Sequence, residues 1–300
     1  MRKDRFILLG IYAVTAGVSY IVGASYEEFG LLGKACMGIL SASIILWLFS
    51  FLSDNSSVFD PYWSVAPFLF ITFLFVEGNE TALFKKGNYP DYHQIARFFT
   101  VAVLVTLYGI RLTWNFVRKW KGLKHEDWRY ANLRGKTGFW YWTVSLLGIH
   151  IFPAMMVFLG SFSLWVVEVK SCNPLNFLDI LGLLVTGFGI WMEAAADKQL
   201  FDFLKNGSPK NITLKEGLWS FSRHPNYLGE IFFWWGLYFF ALAANPAQWW
   251  VIIGPAGITI MFLFISIPIM EKRMKERKED YEDYCAKVPL LLPFRIKKTL

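Results

Sequence analysis

The sequence predicts an all-α protein built as a polytopic bundle of about seven to eight transmembrane helices, with functional loops on one face. Three observations predict it. The 300-residue chain is 55% hydrophobic and 19% aromatic, with a mean hydropathy of +0.38, more apolar surface than an ordinary soluble domain can hide. Apolar runs able to cross about 30 Å of hydrocarbon as helices recur along its whole length. The cations are distributed unevenly between the loops on the two sides that such crossings imply.

In order, the runs cover residues 6–23, 35–52, 63–77, 97–117, 139–166, 178–196, 226–244 and 249–269, the third being short. Of the 30 Lys and Arg, 24 lie in segments 1–5, 118–137, 197–225 and 271–300, and none in 53–62 on the same side. The other side holds Lys34, Lys85, Lys86 and Lys170, while Arg97 and Arg111 lie inside helices. The positive-inside rule therefore predicts that both termini are cytoplasmic. If the short third run does not cross, the N-terminus flips and the basic C-terminal half keeps its place. The start "MRKDRFILLGIYAVTAGVSYIVGAS" has the basic flank and small-residue end of a signal peptide, but its long apolar run reads as a retained first helix. No linker or low-complexity segment divides the chain, so residues 1–300 are expected to form one membrane domain. Topology and anionic lipid head groups account for the net charge of +7, and no nucleic-acid-binding motif is present.

Several chemistries are excluded. Cys36, Cys172 and Cys285 are too scattered for a disulfide framework or a thiolate metal site. The four His show no paired-ligand spacing, so neither a metal site nor a His-rich di-iron oxygenase is expected. There is no Walker loop, serine nucleophile elbow or Rossmann glycine fingerprint.

Ionisable groups within spans need a partner, a route to the interface or a function. Glu193 and Asp197 are four apart on the sixth span, as are Asn226 and Glu230 on the seventh, and each pair shares a helical face. On the fourth span Tyr108, Arg111, Asn115 and Arg118 form a polar stripe. Taken singly, Arg111 and Arg118 could snorkel and Tyr108 could pack. Together, three stripes aimed at one leaflet predict a polar cavity, open to the cytoplasm and walled by apolar helices, which suits a charged cofactor meeting a lipophilic substrate drawn from the bilayer.

The stretch "SRHPNYLGE" (222–230) opens the seventh helix. Pro225 fits its first turn, and Ser222 or His224 can cap it. The helix N-terminus beside Arg223 can receive a phosphate, and Asn226 and Glu230 can pair with an amide such as a carboxamide. The loop "RKWKGLKHEDWRYANLRGK" reads either as a positive-inside loop with interfacial aromatics or as a phosphate and adenine clamp of Arg129, Arg134 and a stacking aromatic. "DPYWSVAP" (60–67) reads either as a helix start capped by Asp60 or as a substrate-side element of Asp60, Tyr62 and Trp63.

The segments "DKQLFDFLKN" (197–206), "GLWSFSRHPNYLGEIFFWWG" (217–236) and "YEDYCAKVPLLLPF" (281–294) together resemble the steroid 5α-reductase superfamily, and within it a bacterial branch of integral-membrane proteins. The resemblance covers residues 97–295 as a reductase-like core, and residues 1–96 match as N-terminal spans in hydropathy, with "DPYW" in keeping. It implies an NADPH-dependent membrane reductase that saturates a carbon–carbon double bond conjugated to a carbonyl in a steroid, sterol, polyprenoid or enoyl lipid. It implies a bacterial inner membrane, with the cofactor site facing the cytoplasm. Carried over by motif, Arg111, Asp127, Arg129, Tyr130, Arg134, Asp197, Trp219, Arg223, His224, Asn226, Tyr227 and Glu230 fall at cofactor-binding positions. Tyr108, with Glu230 and Asp60, falls at the reacting centre, and Asp60, Tyr62, Trp63 and Tyr108 fall on the substrate side. Steroid reductases pair the equivalent Tyr with a Gln-Glu dipeptide on an earlier helix. "DPYWSVAPFLF" lacks it, which leaves Asp60 or Tyr62 to take that role. Isoprenylcysteine and phospholipid methyltransferases, which use S-adenosylmethionine, share "RHPxY" followed by Gly but add a later pair of Glu, where this chain has only Glu271 followed by Lys272. A sterol-binding scaffold without turnover is the third alternative.

Overall fold

The computed structural model describes residues 2–77, 92–205, 207 and 211–292. Lys85, Lys86 and most of the expected turn at 206–211 lie outside the described residues. The regular structure of the described residues is all helical, with eight helical stretches long and apolar enough to span a membrane: Lys3–Ala24, Leu31–Leu52, Ser56–Glu77, Tyr92–Lys119, Trp128–Val169, Phe177–Lys205, Pro225–Ala244 and Pro246–Arg277. The third run therefore joins the others as a candidate span, lengthened by a short 3-10 turn at Ser56–Phe59.

Helices α1 (Arg2–Ala24), α2 (Leu31–Leu52), α3 (Tyr62–Glu77) and α4 (Tyr92–Lys119) are continuous. The fifth span is segmented into α5 (Trp128–Thr137), α6 (Tyr141–Ser145), α7 (Phe152–Gly160) and α8 (Phe162–Val169), with a π-turn at Leu146–Ile151 between α6 and α7. Helices α9 (Phe177–Lys205) and α10 (Pro225–Ala244) follow, then α11 (Ile253–Met261), a π-turn at Phe262–Ser266, α12 (Ile267–Arg277) and α13 (Tyr281–Lys287). Each π-turn leads directly into a helix with proline in its first turn, Pro153 and Pro268. A proline ring removes one donor and pushes against the preceding turn, and the wider i→i+5 turn absorbs that crowding.

The core is Phe-, Leu- and Trp-rich and runs through α2, α3, α4, α7, α8, α10 and α11, with Trp234, Phe233 and Tyr108 fully buried. Helix α10 is its centre and lies almost in backbone contact with α9. A Cβ on Gly189 would sit 2.6 Å from the Gly229 carbonyl oxygen and 2.7 Å from the Phe233 nitrogen, while one on Gly229 would sit 2.6 Å from Glu193 Cγ. Gly189→Val is expected to lower stability by about 1–3 kcal/mol through overpacking, read as the unfolding midpoint in detergent. Gly187→Ala two residues away, where a Cβ meets nothing within 4 Å, is expected to be neutral or stabilising.

The ends of the bundle are distinct. Arg5 donates to the Val117 carbonyl (3.1 Å), Arg273 lies over the Trp128 ring (3.7 Å), and Asn211 donates to Glu279 (2.8 Å). The start of α1, the 120–128 loop, the 211–224 loop and the C-terminal helix thus share one face, which carries the cation-rich segments and is called the basic face below. At the other end, Arg97 on α4 is clamped to Asp179 on α9, and Lys34 meets Glu77 at 3.6 Å.

Two expected caps form differently. The Asp60 carboxylate does not cap α3, because it accepts the Tyr130 hydroxyl (2.6 Å), and Pro61 supplies the carbonyl for the Ser64 N–H instead. His224 occupies the N-cap position of α10 with no side-chain cap bond, since its ring is drawn away to Glu271. Ser222 Oγ accepts from the His224 N–H at 3.3 Å, two positions before the first N–H that a cap of α10 would accept.

Candidate active site at the basic face

Glu230 organises the site. It lies in the second turn of α10 and is 4% exposed. Its Oε1 accepts from Tyr108 Oη on α4 (2.6 Å), Trp63 Nε1 on α3 (2.7 Å) and Trp234 Nε1 on α10 itself (2.9 Å). One carboxylate thereby joins three helices, and its burial is offset by charge-assisted bonds. The Tyr108 ring lies parallel to Phe233, with centroids 3.8 Å apart, so its hydroxyl has little lateral freedom.

One turn towards the basic face, Arg111 donates to Glu193 Oε2 (2.6 Å) and Asp197 Oδ2 (3.2 Å). Asn115 also donates to Asp197 Oδ2 (2.5 Å), and Lys119 reaches Oδ1 (3.4 Å). The polar stripe of α4 and the carboxylate pair of α9 therefore interlock, as their spacing predicts. The Arg111 guanidinium also lies 5.7 Å from the centroid of the Tyr108 ring, which links the ion-pair ladder to the group around Glu230.

A second cluster comes from the 120–128 loop and α5. Asp127 caps α5 by accepting the Arg129 N–H (2.9 Å) and also holds Arg129 Nε (2.8 Å). Asp60 binds Tyr130 and lies 3.8 Å from Arg129. Arg134 points elsewhere: it pairs with Asp54 (2.7 Å) and Glu126 (3.1 Å) and covers the Tyr141 ring, so it ties the loop to the end of α2.

The third cluster surrounds the start of α10. Glu271 on α12 accepts from Arg223 Nη1 (2.7 Å) and Tyr281 Oη (2.7 Å) and meets His224 Nε2 (2.7 Å). Burial, and then the bond to Glu271, pushes the Tyr281 phenol well above its usual range, so it remains the donor. Arg223 also reaches Cys285 Sγ (2.7 Å), and its backbone N–H donates to the Pro289 carbonyl. Tyr227 lies between the His224 and Phe262 rings. Trp219 packs the loop down by donating to the Ala196 carbonyl (3.2 Å). The Asn226 side chain is half-buried and makes no hydrogen bond among the described residues.

Of the residues singled out in the sequence, Trp63, Tyr108, Arg111, Asp197 and Glu230 thus form one connected network. Asp60, Asp127, Arg129 and Tyr130 form a second, and Arg223 and His224 a third. Asp60 makes no bond to Tyr108. Tyr62 stacks on Phe59 (4.9 Å) and lines an apolar cavity of about 180 Å³ between α1, α2 and α3. Glu271 was visible only as an unpaired candidate for a methyltransferase glutamate, and Trp234 gave no signal among the surrounding aromatics. Among the described residues no group of His, Cys, Asp and Glu could hold a metal ion. The three cysteines are free.

Comparison with known proteins adds an independent line. A protein-family model described as a protein of unknown function, DUF1295, matches residues 46–288. The uncharacterized protein C594.04c of Schizosaccharomyces pombe is 27% identical over 276 residues, 83% of this chain and 76% of that protein. A methanethiol S-methyltransferase of Crocosphaera subtropica is 23% identical over 167 residues, 54% of this chain and 57% of that enzyme, so the match spans little more than half of either. No solved structure matches the chain. The family match covers most of the chain and includes every side chain of the three clusters, and it makes the protein a member of the DUF1295 family, within the membrane superfamily of steroid 5α-reductase-like and isoprenylcysteine methyltransferase-like proteins.

Proposed function

We propose that the protein is a membrane reductase that uses NADPH to saturate a carbon–carbon double bond conjugated to a carbonyl in a lipophilic substrate. The observation that carries this reading is the convergence of Tyr108, Trp63 and Trp234 on the buried Glu230 carboxylate, one helical turn from the unengaged amide of Asn226. The residues suit the cofactor: Asn226 and Glu230 offer the donor and acceptor that a carboxamide requires, and the helix N-terminus and Arg223 offer positive potential for phosphate. When bound, NADPH supplies the hydride that the β-carbon of the substrate receives. The chain supplies electrophilic assistance. Glu230 and Phe233 fix the Tyr108 phenol at the apolar end of the network, where an O–H turned to a carbonyl oxygen stabilises the charge that develops there. Trp63 and Trp234 keep Glu230 in place while Tyr108 changes partner.

Tyr108→Phe is expected to lower turnover by about 10²-fold or more, the scale of losing one donor to a developing oxyanion, while NADPH binding is kept. Unchanged turnover in that variant would remove Tyr108 from the role. The relative that is a methanethiol S-methyltransferase favours a second reading, transfer of a methyl group from S-adenosylmethionine. Against it, the chain has a single glutamate, Glu271 followed by Lys272, where those methyltransferases carry a pair. Thermal stabilisation of the detergent-purified protein separates the two, since a ligand that binds only the folded state raises the melting temperature. NADPH is expected to stabilise it and S-adenosylmethionine is not; the reverse result would replace the reductase with a methyltransferase.

A further inference from the structure

Five arginines border the site, and four of them are matched to carboxylates. Arg111 binds Glu193 and Asp197, Arg129 binds Asp127, Arg134 binds Glu126 and Asp54, and Arg223 binds Glu271. Arg118 is different. Among the described residues it has no carboxylate within ion-pair distance, and its one hydrogen bond is a long contact from Nη2 to Asn115 Oδ1 (3.4 Å). Its Nε, like those of Arg111 and Arg223, is buried without a partner. Asp197, the carboxylate that serves this stretch of α4, is already taken up by Arg111, Asn115 and Lys119.

The Arg118 guanidinium is nevertheless held in place, because its carbon lies over the Phe201 ring, 3.9 Å from the centroid. That contact holds the guanidinium and, among the described residues, leaves Nη1 without a partner and Nη2 with only the long Asn115 contact, so the two can take a phosphate through two parallel bonds. We infer that Arg118 binds a phosphate group of the cofactor, an assignment that rests on the proposed use of a phosphorylated dinucleotide. Arg118 lies ten residues along α4 from Tyr108, about 15 Å at helical rise. That separation suits an elongated cofactor whose reactive ring and phosphates lie far apart. S-adenosylmethionine carries no phosphate and bears a positive sulfonium, so a cation left without a counter-ion opposes it.

The test measures dissociation constants of NADPH, NADH and S-adenosylmethionine by thermal-shift titration of the full-length protein and of Arg118→Gln and Arg118→Lys. Arg118→Gln is expected to weaken NADPH by about 10- to 100-fold, the worth of a charge-assisted bond pair. Arg118→Lys, which keeps the charge and loses the fork, is expected to weaken it less, and it carries the test if the Gln variant does not fold. An equal loss for NADH assigns Arg118 to the pyrophosphate, and a loss confined to NADPH assigns it to the 2′-phosphate. Unaltered NADPH affinity in both variants overturns the assignment and leaves the reductase reading intact. So does unaltered affinity together with loss of co-purified anionic phospholipid from Arg118→Gln, which would make Arg118 a lipid anchor. A wild-type protein that NADPH does not stabilise overturns both the reductase reading and this assignment.

Discussion

Arg97→Leu is expected to destabilise the protein by about 3–5 kcal/mol, the cost of leaving one charge of a buried pair without its partner. The Arg97 side chain has no solvent exposure and that of Asp179 has 9%. All five of its N–H donors are engaged: Nε and Nη2 clamp Asp179 (2.7 and 2.9 Å), Nη1 binds Ser171 Oγ and the Asn173 carbonyl, and Nη2 also binds the Pro174 carbonyl. Asp179 in turn accepts the Asn176 N–H, which fixes the entry into α9. The pair therefore joins α4 and α9 at the face away from the site, while Arg111 and Asp197 join them near it. Arg97→Leu combined with Asp179→Leu removes both charges and is expected to recover part of the loss, because neither is then stranded. Unfolding midpoints of the two single variants and the double variant in detergent check this. A double variant no more stable than Arg97→Leu would mean that the loop carbonyls, rather than the ion pair, account for the effect.

The second large effect is expected at Glu230. Glu230→Leu strands the Tyr108 hydroxyl and the indole N–H groups of Trp63 and Trp234 in the core, and each unpaired buried donor costs about 1–3 kcal/mol. The sum is discounted because the three share one oxygen, so a loss of about 2–5 kcal/mol is expected. Glu230→Gln keeps a carbonyl acceptor for the three donors and removes the charge, so it is expected to fold with a much smaller loss. It should nevertheless show little NADPH-induced stabilisation, because its NH2 group meets the carboxamide NH2 donor to donor. Thermal unfolding with and without NADPH reads both effects. A Gln variant stabilised as fully as the wild type would leave Glu230 a structural hub with no part in cofactor binding.

Both sites show what a sequence conveys and what it withholds. The eight candidate spans are legible because each needs only a local apolar run, and the Tyr108–Arg111–Asn115–Arg118 stripe because residues three and four apart must share a helical face. That Arg111 would meet Glu193 and Asp197 follows from two such stripes facing one leaflet. The Arg97–Asp179 clamp was not legible: its residues lie 82 apart, and each reads alone as a charge near a helix end. The same holds for the Trp234 indole on Glu230, since nothing local separates it from the other thirteen tryptophans, while "DPYW" marks Trp63 without naming its partner. The misread caps at Asp60 and His224 share one cause. Local rules assign a polar side chain to the nearest helix end, and a partner from a distant segment, Tyr130 or Glu271, outcompeted it.

The clamp of Arg223 and His224 by Glu271, which itself accepts the Tyr281 hydroxyl, also orders events during synthesis. Seven spans and the whole "SRHPNYLGE" segment leave the ribosome before Glu271, Tyr281 and the Pro289 carbonyl exist to hold them. A nascent chain can therefore have seven spans threaded into the bilayer while Arg223 and His224 still lack their carboxylate partner. The start of α10 is thus locked by residues made after it, so a chain stopped after residue 277, which keeps Glu271 but lacks Tyr281 and the Pro289 carbonyl, is expected to reach the membrane with that segment less firmly held.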